Sequence, residues 1–166
     1  MEATDAQRSH QADSEPIKRY FELLRAAIAT GRANVATVDG RSPVPSGVWG
    51  WQHIHGSLRS KGSRIGWVEG EDLYLEAEAA YNVVRRMAQD SGSSFPLRTK
   101  TLSKRLDERG LLVTKERDRL LVRKFVEGAR RRLLHLNAAT LLETDQSDQS
   151  ATPVRGYISL RPDDAL

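Results

Sequence analysis

Basic side chains are concentrated in one segment of the chain, residues 98–132. This segment holds 13 Lys and Arg but only 5 Asp and Glu, a local net charge of +8 in a chain whose total is +4. The remaining residues are therefore net acidic. A concentrated positive field attracts phosphate groups, so the chemistry that this segment favours is binding of a phosphate backbone. The alternative is a solvated basic surface, and the elements that carry these residues must decide between the two.

The first basic element is a predicted helix over residues 99–109. At 100° per residue, Leu102 and Leu106 fall on one side, whereas Lys100 and Lys104 fall almost opposite, with Ser103 flanking them. An outward lysine pair suits entry into a DNA groove, because lysine is a mobile positive charge for phosphates or guanine acceptors. An ordinary amphipathic surface helix would show the same pattern.

The second basic element is a predicted β-hairpin, with strands over residues 119–126 and 130–136 and a tip at 127–129. Its basic residues are Arg119, Arg123, Lys124, Arg130, Arg131 and Arg132. Its buried face is expected to come from Leu121, Phe125, Leu133 and Leu134. Alternation along a strand allows one apolar and one basic face. Charge that protects an edge strand is the structural alternative, and contact with nucleic acid is favoured over it.

The order of elements predicts the fold class. A helix over residues 76–90, a turn, the 99–109 helix, Gly110, a short strand and the basic hairpin follow one another, which is the order of a winged helix-turn-helix. We therefore expect an α+β fold: a winged helix-turn-helix with an extra N-terminal helix and a basic β-hairpin wing. The predicted nucleic-acid-binding residues are Arg98, Lys100, Ser103, Lys104, Arg119, Arg123, Lys124, Arg130, Arg131 and Arg132.

The chain divides into four predicted parts. Residues 1–14 are expected to be disordered, and residues 15–63 to form a helix plus a tryptophan-containing loop packed on the core. That helix is expected to begin at Asp13 or Ser14, with Pro16 in its first turn. Residues 64–142 are expected to form the winged helix domain, with Asn137 as the cap of a final short helix through Leu142, and residues 143–166 a flexible polar tail.

Other residues that could do chemistry favour structural roles. His53 and His55 would share one strand face, but no third ligand lies near them in sequence, so no metal site is predicted. His135 lies in an apolar strand and is expected to be structural. The tryptophans Trp49, Trp51 and Trp67 are expected to be packing anchors rather than base-stacking platforms. We predict no catalytic residue, no cofactor and no small-molecule substrate. We also predict no ATP hydrolysis, because no phosphate-binding glycine loop is present.

Composition narrows the class of protein further. The chain has no cysteine, which excludes a disulfide scaffold and thiolate metal sites. No apolar run approaches the roughly 20 residues that span a bilayer, and residues 1–14 lack the apolar core of a signal peptide. These features predict a soluble, cytoplasmic protein without membrane association.

Five short motifs carry a resemblance to a known family. They are Arg64-Ile65-Gly66-Trp67, Asp72-Leu73-Tyr74-Leu75, Ala80-Tyr81, Thr101-Leu102 with Arg105-Leu106, and Gly110-Leu111-Leu112. Together they resemble the C-terminal region of large bacterial and mobile-element proteins of primase–helicase type, over roughly residues 17–142. Those proteins carry an ATPase domain upstream that this sequence lacks. The resemblance implies a separated or stand-alone relative of that region, with a role in replication of mobile DNA and a helicase-like ATPase as partner.

The sequence thus predicts a DNA-binding module, not an enzyme, that targets or assists a replication machine and weakly favours duplex over single-stranded DNA. Two alternatives remain open. One is a winged helix that docks on an acidic protein partner, and the other is a transcriptional regulator that binds a specific operator.

Overall fold

The computed structural model describes residues 2–117 and 119–143. Within them the chain forms an α+β fold of four α-helices and eight β-strands. The helices are α1 (Glu2–Ala29), α2 (Ala77–Asp90), α3 (Thr99–Glu108) and α4 (Ala138–Leu142). The strands are β1 (Ala33–Thr37), β2 (Trp51–Ile54), β3 (Ser57–Ser60), β4 (Ser63–Glu69), β5 (Asp72–Leu75), β6 (Leu112–Thr114), β7 (Val122–Val126) and β8 (Ala129–Asn137).

One sheet organises most of the strands. Its order is β1-β4-β5-β8-β6, and β7 also pairs with β8. The β1–β4 pair is parallel and the others are antiparallel. Strand β8 is long enough to serve two sets of partners: its first half pairs with β7, and its second half pairs with β5 and β6. The basic hairpin β7–β8 is therefore a direct continuation of the central sheet.

The larger hydrophobic core lies between the helices and one face of this sheet. The apolar side chains of α1 from Ile17 onward are buried there, with Tyr20 and Leu24 fully enclosed. From the sheet, Leu73, Leu134 and Leu136 point into the same core. Helix α3 packs on α1 and α2, so its position depends on this core. The helix predicted over residues 99–109 matches α3 closely.

A smaller core lies on the opposite face of the sheet. It is formed by side chains from β1, β4, β5, β7 and β8: Ala36, Trp67, Tyr74, Val122, Val126 and Leu133. Hairpin β7–β8 curls over this face, and its tip returns to the first strand, where the backbone N–H of Glu127 donates to the carbonyl oxygen of Val38 at 2.7 Å. The hairpin is thus packed along its length rather than projecting freely.

Several predicted boundaries change. Helix α1 begins at Glu2 rather than at Asp13 or Ser14, so Pro16 lies inside the helix and not in its first turn. The loop predicted within residues 32–63 contains a 3-10 turn (Ser46–Trp49) and the β2–β3 hairpin.

Two further expectations concern the ends of elements and the ends of the chain. The predicted cap of α4 is confirmed: the side-chain oxygen of Asn137 accepts from the N–H of Ala139 at 2.8 Å. Of the tail predicted over 143–166, residues 144–166 lie outside the described residues. In the described part of the chain, no helix has the length and apolarity needed to cross a membrane.

Candidate nucleic-acid interface

The register of hairpin β7–β8 decides which basic side chains lie together. Its turn has two residues, Glu127 and Gly128, with φ angles of 45° and 78°. Positive φ at both central positions is typical of the type I′ turn that joins tightly paired strands. Moving away from this turn, Val126 pairs with Ala129, and each preceding residue of β7 pairs with the next residue of β8. Successive pairs alternate between the two faces of the hairpin.

One face of the hairpin is exposed and basic. Phe125 lies directly opposite Arg130, and Arg123 lies directly opposite Arg132. All four side chains are exposed, Phe125 by 63%. We call this set, Arg123, Phe125, Arg130 and Arg132, the hairpin face. Arg123 and Arg132 are neighbours, because residues opposite each other in antiparallel strands have Cβ atoms about 5 Å apart, and Arg130 lies two residues from Arg132 on the same face.

Carboxylate partners are scarce on the hairpin face. Within the described residues, Arg130 and Arg132 make no ion pair or side-chain hydrogen bond. Arg123 has one loose ion pair, with its Nε 3.8 Å from Oε2 of Glu116. Like charges directly opposite each other destabilise a strand pair. The hairpin face therefore holds uncompensated positive charge.

Lys124 lies on the other, inner face of the hairpin. Its Nζ donates to Oε1 of Glu69 at 2.8 Å and lies 5.0 Å from the ring centroid of Tyr74. The hydrogen bond to Glu69 raises the pKa of the Lys124 ammonium, which stays charged beside its carboxylate partner.

Arg131 has the same kind of environment as Lys124. Its NH1 is 3.5 Å from Oε1 of Glu76, and its guanidinium lies 5.4 Å from the ring centroid of Trp67. The structure thus separates Lys124 and Arg131 from the other basic residues predicted to bind nucleic acid. Both have acidic partners and cover the smaller core.

The expected apolar face of the hairpin is wrong at Phe125. It was grouped with Leu133 as buried, but Phe125 is exposed and Val122 and Val126 take the inner positions. A three-residue tip at 127–129 would have shifted the pairing, whereas the two-residue turn places Val122 opposite Leu133. Leu133 and Leu134 are both buried because each meets a different core.

Most of the α3 residues predicted to contact nucleic acid are exposed. Lys100 and Lys104 are exposed, and Leu102 and Leu106 are buried at 1% and 0% exposure, as the helical phase predicted. Ser103 is the exception, because its exposure is only 8%. It follows Leu102 by 100° and falls inside the buried arc, so its hydroxyl does not lie on the lysine side.

The remaining predicted contacts lie at the ends of these elements. Arg98 is exposed immediately before α3. Arg119 lies in the turn before β7, where it lines a surface hollow together with Glu116, Arg117 and Arg123. The structure therefore brings Arg119 close to the hairpin face, while the lysines of α3 form a separate group on the helix.

His135 and the three tryptophans take the structural roles that were expected. His135 is buried, with Nδ1 2.7 Å from Thr114 Oγ1, Nε2 2.8 Å from Asp72 Oδ1, and its ring stacked on Tyr74. The indole N–H of Trp51 donates to the Val35 carbonyl oxygen at 2.8 Å. The other two tryptophans are each 3% exposed. No group of three metal-ligating side chains occurs in the described residues.

Two features of this region were not predicted from the sequence, namely the exposure of Phe125 and the contacts of Glu127. Oε1 of Glu127 accepts from Trp67 Nε1 at 2.8 Å and forms an ion pair with Arg64. The pair Glu127-Gly128 could have revealed both features. A two-residue turn there aligns Lys124 with Arg131 and leaves Phe125 on the opposite side.

Comparison of the chain with protein-family models, with curated proteins and with solved structures found no match.

Proposed function

We propose that this protein is a nucleic-acid-binding module of winged helix-turn-helix type, which contacts phosphates through α3 and the hairpin face. The topology supports this reading. Strand β5, helices α2 and α3, and strands β7 and β8 follow in chain order, and the strands pair in the order β5-β8-β7. The order is that expected of a helix-turn-helix followed by a basic hairpin wing, with β1, β4 and β6 as additional strands of the same sheet.

The observation that carries the proposal is the difference between the two faces of one hairpin. On the inner face, Lys124 and Arg131 each have a carboxylate partner, Glu69 and Glu76. On the hairpin face, Arg130 and Arg132 have none in the described part of the chain. Repulsion between aligned arginines is unfavourable unless an anion from outside offsets it, and a phosphate backbone supplies such anions in a row.

The proposed site comprises those exposed members of the predicted set that lie outside the inner face of the hairpin: Arg98, Lys100, Lys104, Arg119, Arg123, Arg130 and Arg132. The proposal leaves out Ser103, Lys124 and Arg131. Phosphate contacts position a module on nucleic acid without reading sequence, so we expect binding of unrelated sequences with similar affinity. A replication role and a helicase-like ATPase partner rest on the sequence resemblance alone.

The experiment compares two double variants that each remove two positive charges from hairpin β7–β8. Arg130→Gln with Arg132→Gln removes charge from the hairpin face, and Lys124→Gln with Arg131→Gln removes it from the inner face. Fluorescence anisotropy with two unrelated duplexes over a salt series should show at least a tenfold loss for the first pair, about 1.4 kcal/mol. The salt slope should fall by about one unit per lost contact.

The control pair should bind almost as the parent does, although its melting temperature should fall. Equal losses in both pairs would mean that only overall charge matters. Parent-like binding by the hairpin-face pair would remove this face from the site and favour docking on an acidic protein. A strong preference for one duplex would instead favour the sequence-specific regulator.

A further inference from the structure

Phe125 is unusual among the aromatic residues of this protein. Its side chain is 63% exposed, whereas the other described aromatic side chains are buried or half-buried. The register places Phe125 on the hairpin face, while the adjacent Lys124 takes a half-buried place on the inner face over Tyr74. The hairpin thus presents a flat apolar ring to solvent while a lysine stem covers its core.

The neighbours of Phe125 within the hairpin face are all cationic. Arg130 lies directly across from it, and Arg123 lies two residues earlier on the same strand, about 6.8 Å away at 3.4 Å per residue. Arg132 completes the set opposite Arg123. A ring among guanidinium groups complements a ligand that alternates flat apolar surfaces with anions. Single-stranded nucleic acid has this pattern, with base faces beside phosphates.

Duplex DNA does not offer a partner for the ring. In a duplex the base faces are covered by their stacked neighbours, and only base edges and the backbone reach a protein. The phenyl group has no donor or acceptor with which to read those edges. An unpaired base, in contrast, exposes a whole face to stacking, and such stacking tolerates any base.

We propose that the hairpin face binds single-stranded nucleic acid, with an unpaired base stacked on Phe125 and the adjoining phosphates held by Arg123, Arg130 and Arg132. This inference rests on the proposed function and specifies its ligand at the hairpin. It reverses the weak preference for duplex that the sequence suggested. Helix α3 keeps its phosphate contacts under either form of the ligand.

The test measures binding of the full chain to an oligothymidylate of about 16 nucleotides, a typical site size, and to a blunt duplex. We expect Phe125→Ala to weaken single-strand binding about tenfold and duplex binding less than twofold. Phe125→Leu should behave like the Ala variant, because it keeps apolar area but has no ring. Phe125→Trp should bind as well as the parent. Val113→Ala, at a 50% exposed apolar position in β6, is the matched control.

The outcomes separate this inference from the proposed function. Parent-like single-strand binding by Phe125→Ala would overturn the stacking role, as would full binding by Phe125→Leu. A parent protein that binds the duplex but not the oligothymidylate would overturn the inference and leave the proposed function standing. A parent that binds neither probe would overturn both.

Discussion

The hydroxyl of Tyr20 is a buried polar group with no compensation. Within the described residues it is the buried side-chain polar atom that lacks a hydrogen-bond partner. Its ring packs edge-on against Phe21, with centroids 5.2 Å apart, and beside Phe95 at 6.1 Å. Burial raises the pKa of the Tyr20 phenol above its ordinary value, so the group stays neutral. The ring packs in the larger core, whereas the hydroxyl loses its hydration and gains no hydrogen bond in exchange.

Replacement of Tyr20 by Phe should therefore leave the fold unchanged and raise the free energy of unfolding by about 1 kcal/mol, since it removes only the desolvated hydroxyl. Urea unfolding measures the change. Tyr81→Phe, at a half-buried ring, is the control and should have little effect. A loss of stability in Tyr20→Phe would mean that the hydroxyl has a partner.

At the scale of elements, the two sides of α3 differ most clearly, one packing on the core and the other facing solvent. Its apolar side holds the helix against α1 and α2, and its lysines are displayed without acidic partners in the described residues. Because the element is short, ten residues, its stability comes mainly from packing rather than from propensity. Changes to the lysines should therefore affect binding and spare the fold.

We expect Lys100→Gln with Lys104→Gln to weaken binding of unrelated nucleic acid sequences to a similar degree. The salt slope should decrease by about one unit for each lost phosphate contact. Arg85→Gln with Arg86→Gln, which removes equal charge from the exposed side of α2, is the control. Unchanged affinity and slope in a folded Lys100/Lys104 variant would remove α3 from the interface.

At the scale of the whole molecule, two cores share one sheet, and the hairpin tip connects its last strands to its first. Glu127 joins Trp67 and Arg64 through its carboxylate and Val38 through its N–H. Burial lowers the pKa of the Arg64 guanidinium, because the cation has lost part of its hydration. The Glu127 carboxylate stabilises this partly desolvated cation. This tip contact holds the hairpin face in a constant orientation.

Glu127→Ala should lower the free energy of unfolding by about 1–3 kcal/mol, because it leaves the Trp67 N–H and NH1 of Arg64 without their acceptor, while Nε of Arg64 keeps Asn34. The positive φ of 45° is equally strained for Ala and Glu, so the change isolates the side-chain contacts. Glu127→Gln keeps an acceptor for the indole and should lose less. Parent-like urea midpoints for both variants would show that the tip contact contributes nothing.

The sequence by itself determined the elements whose signals are local. Helical periodicity and bounding glycines predicted the ends of α2 and α3 within a residue or two. The periodicity also identified Leu102 and Leu106 as buried. Asn137 as a cap and His135 as a structural histidine followed from their neighbours in sequence. The basic segment and the outward lysines of α3 were also readable, because helix phase depends only on residue spacing.

Only the tertiary structure decided how the hairpin faces are used. Alternation shows that the two faces of a strand differ, but a shift of one residue exchanges them, and the turn geometry selects the register. The partners that draw Lys124 and Arg131 inward, Glu69 and Glu76, lie 55 residues away in sequence. Because those pairings arise only when β4, β5 and β8 come together, the exposure of Phe125 and the uncompensated charge beside it are properties of the folded sheet.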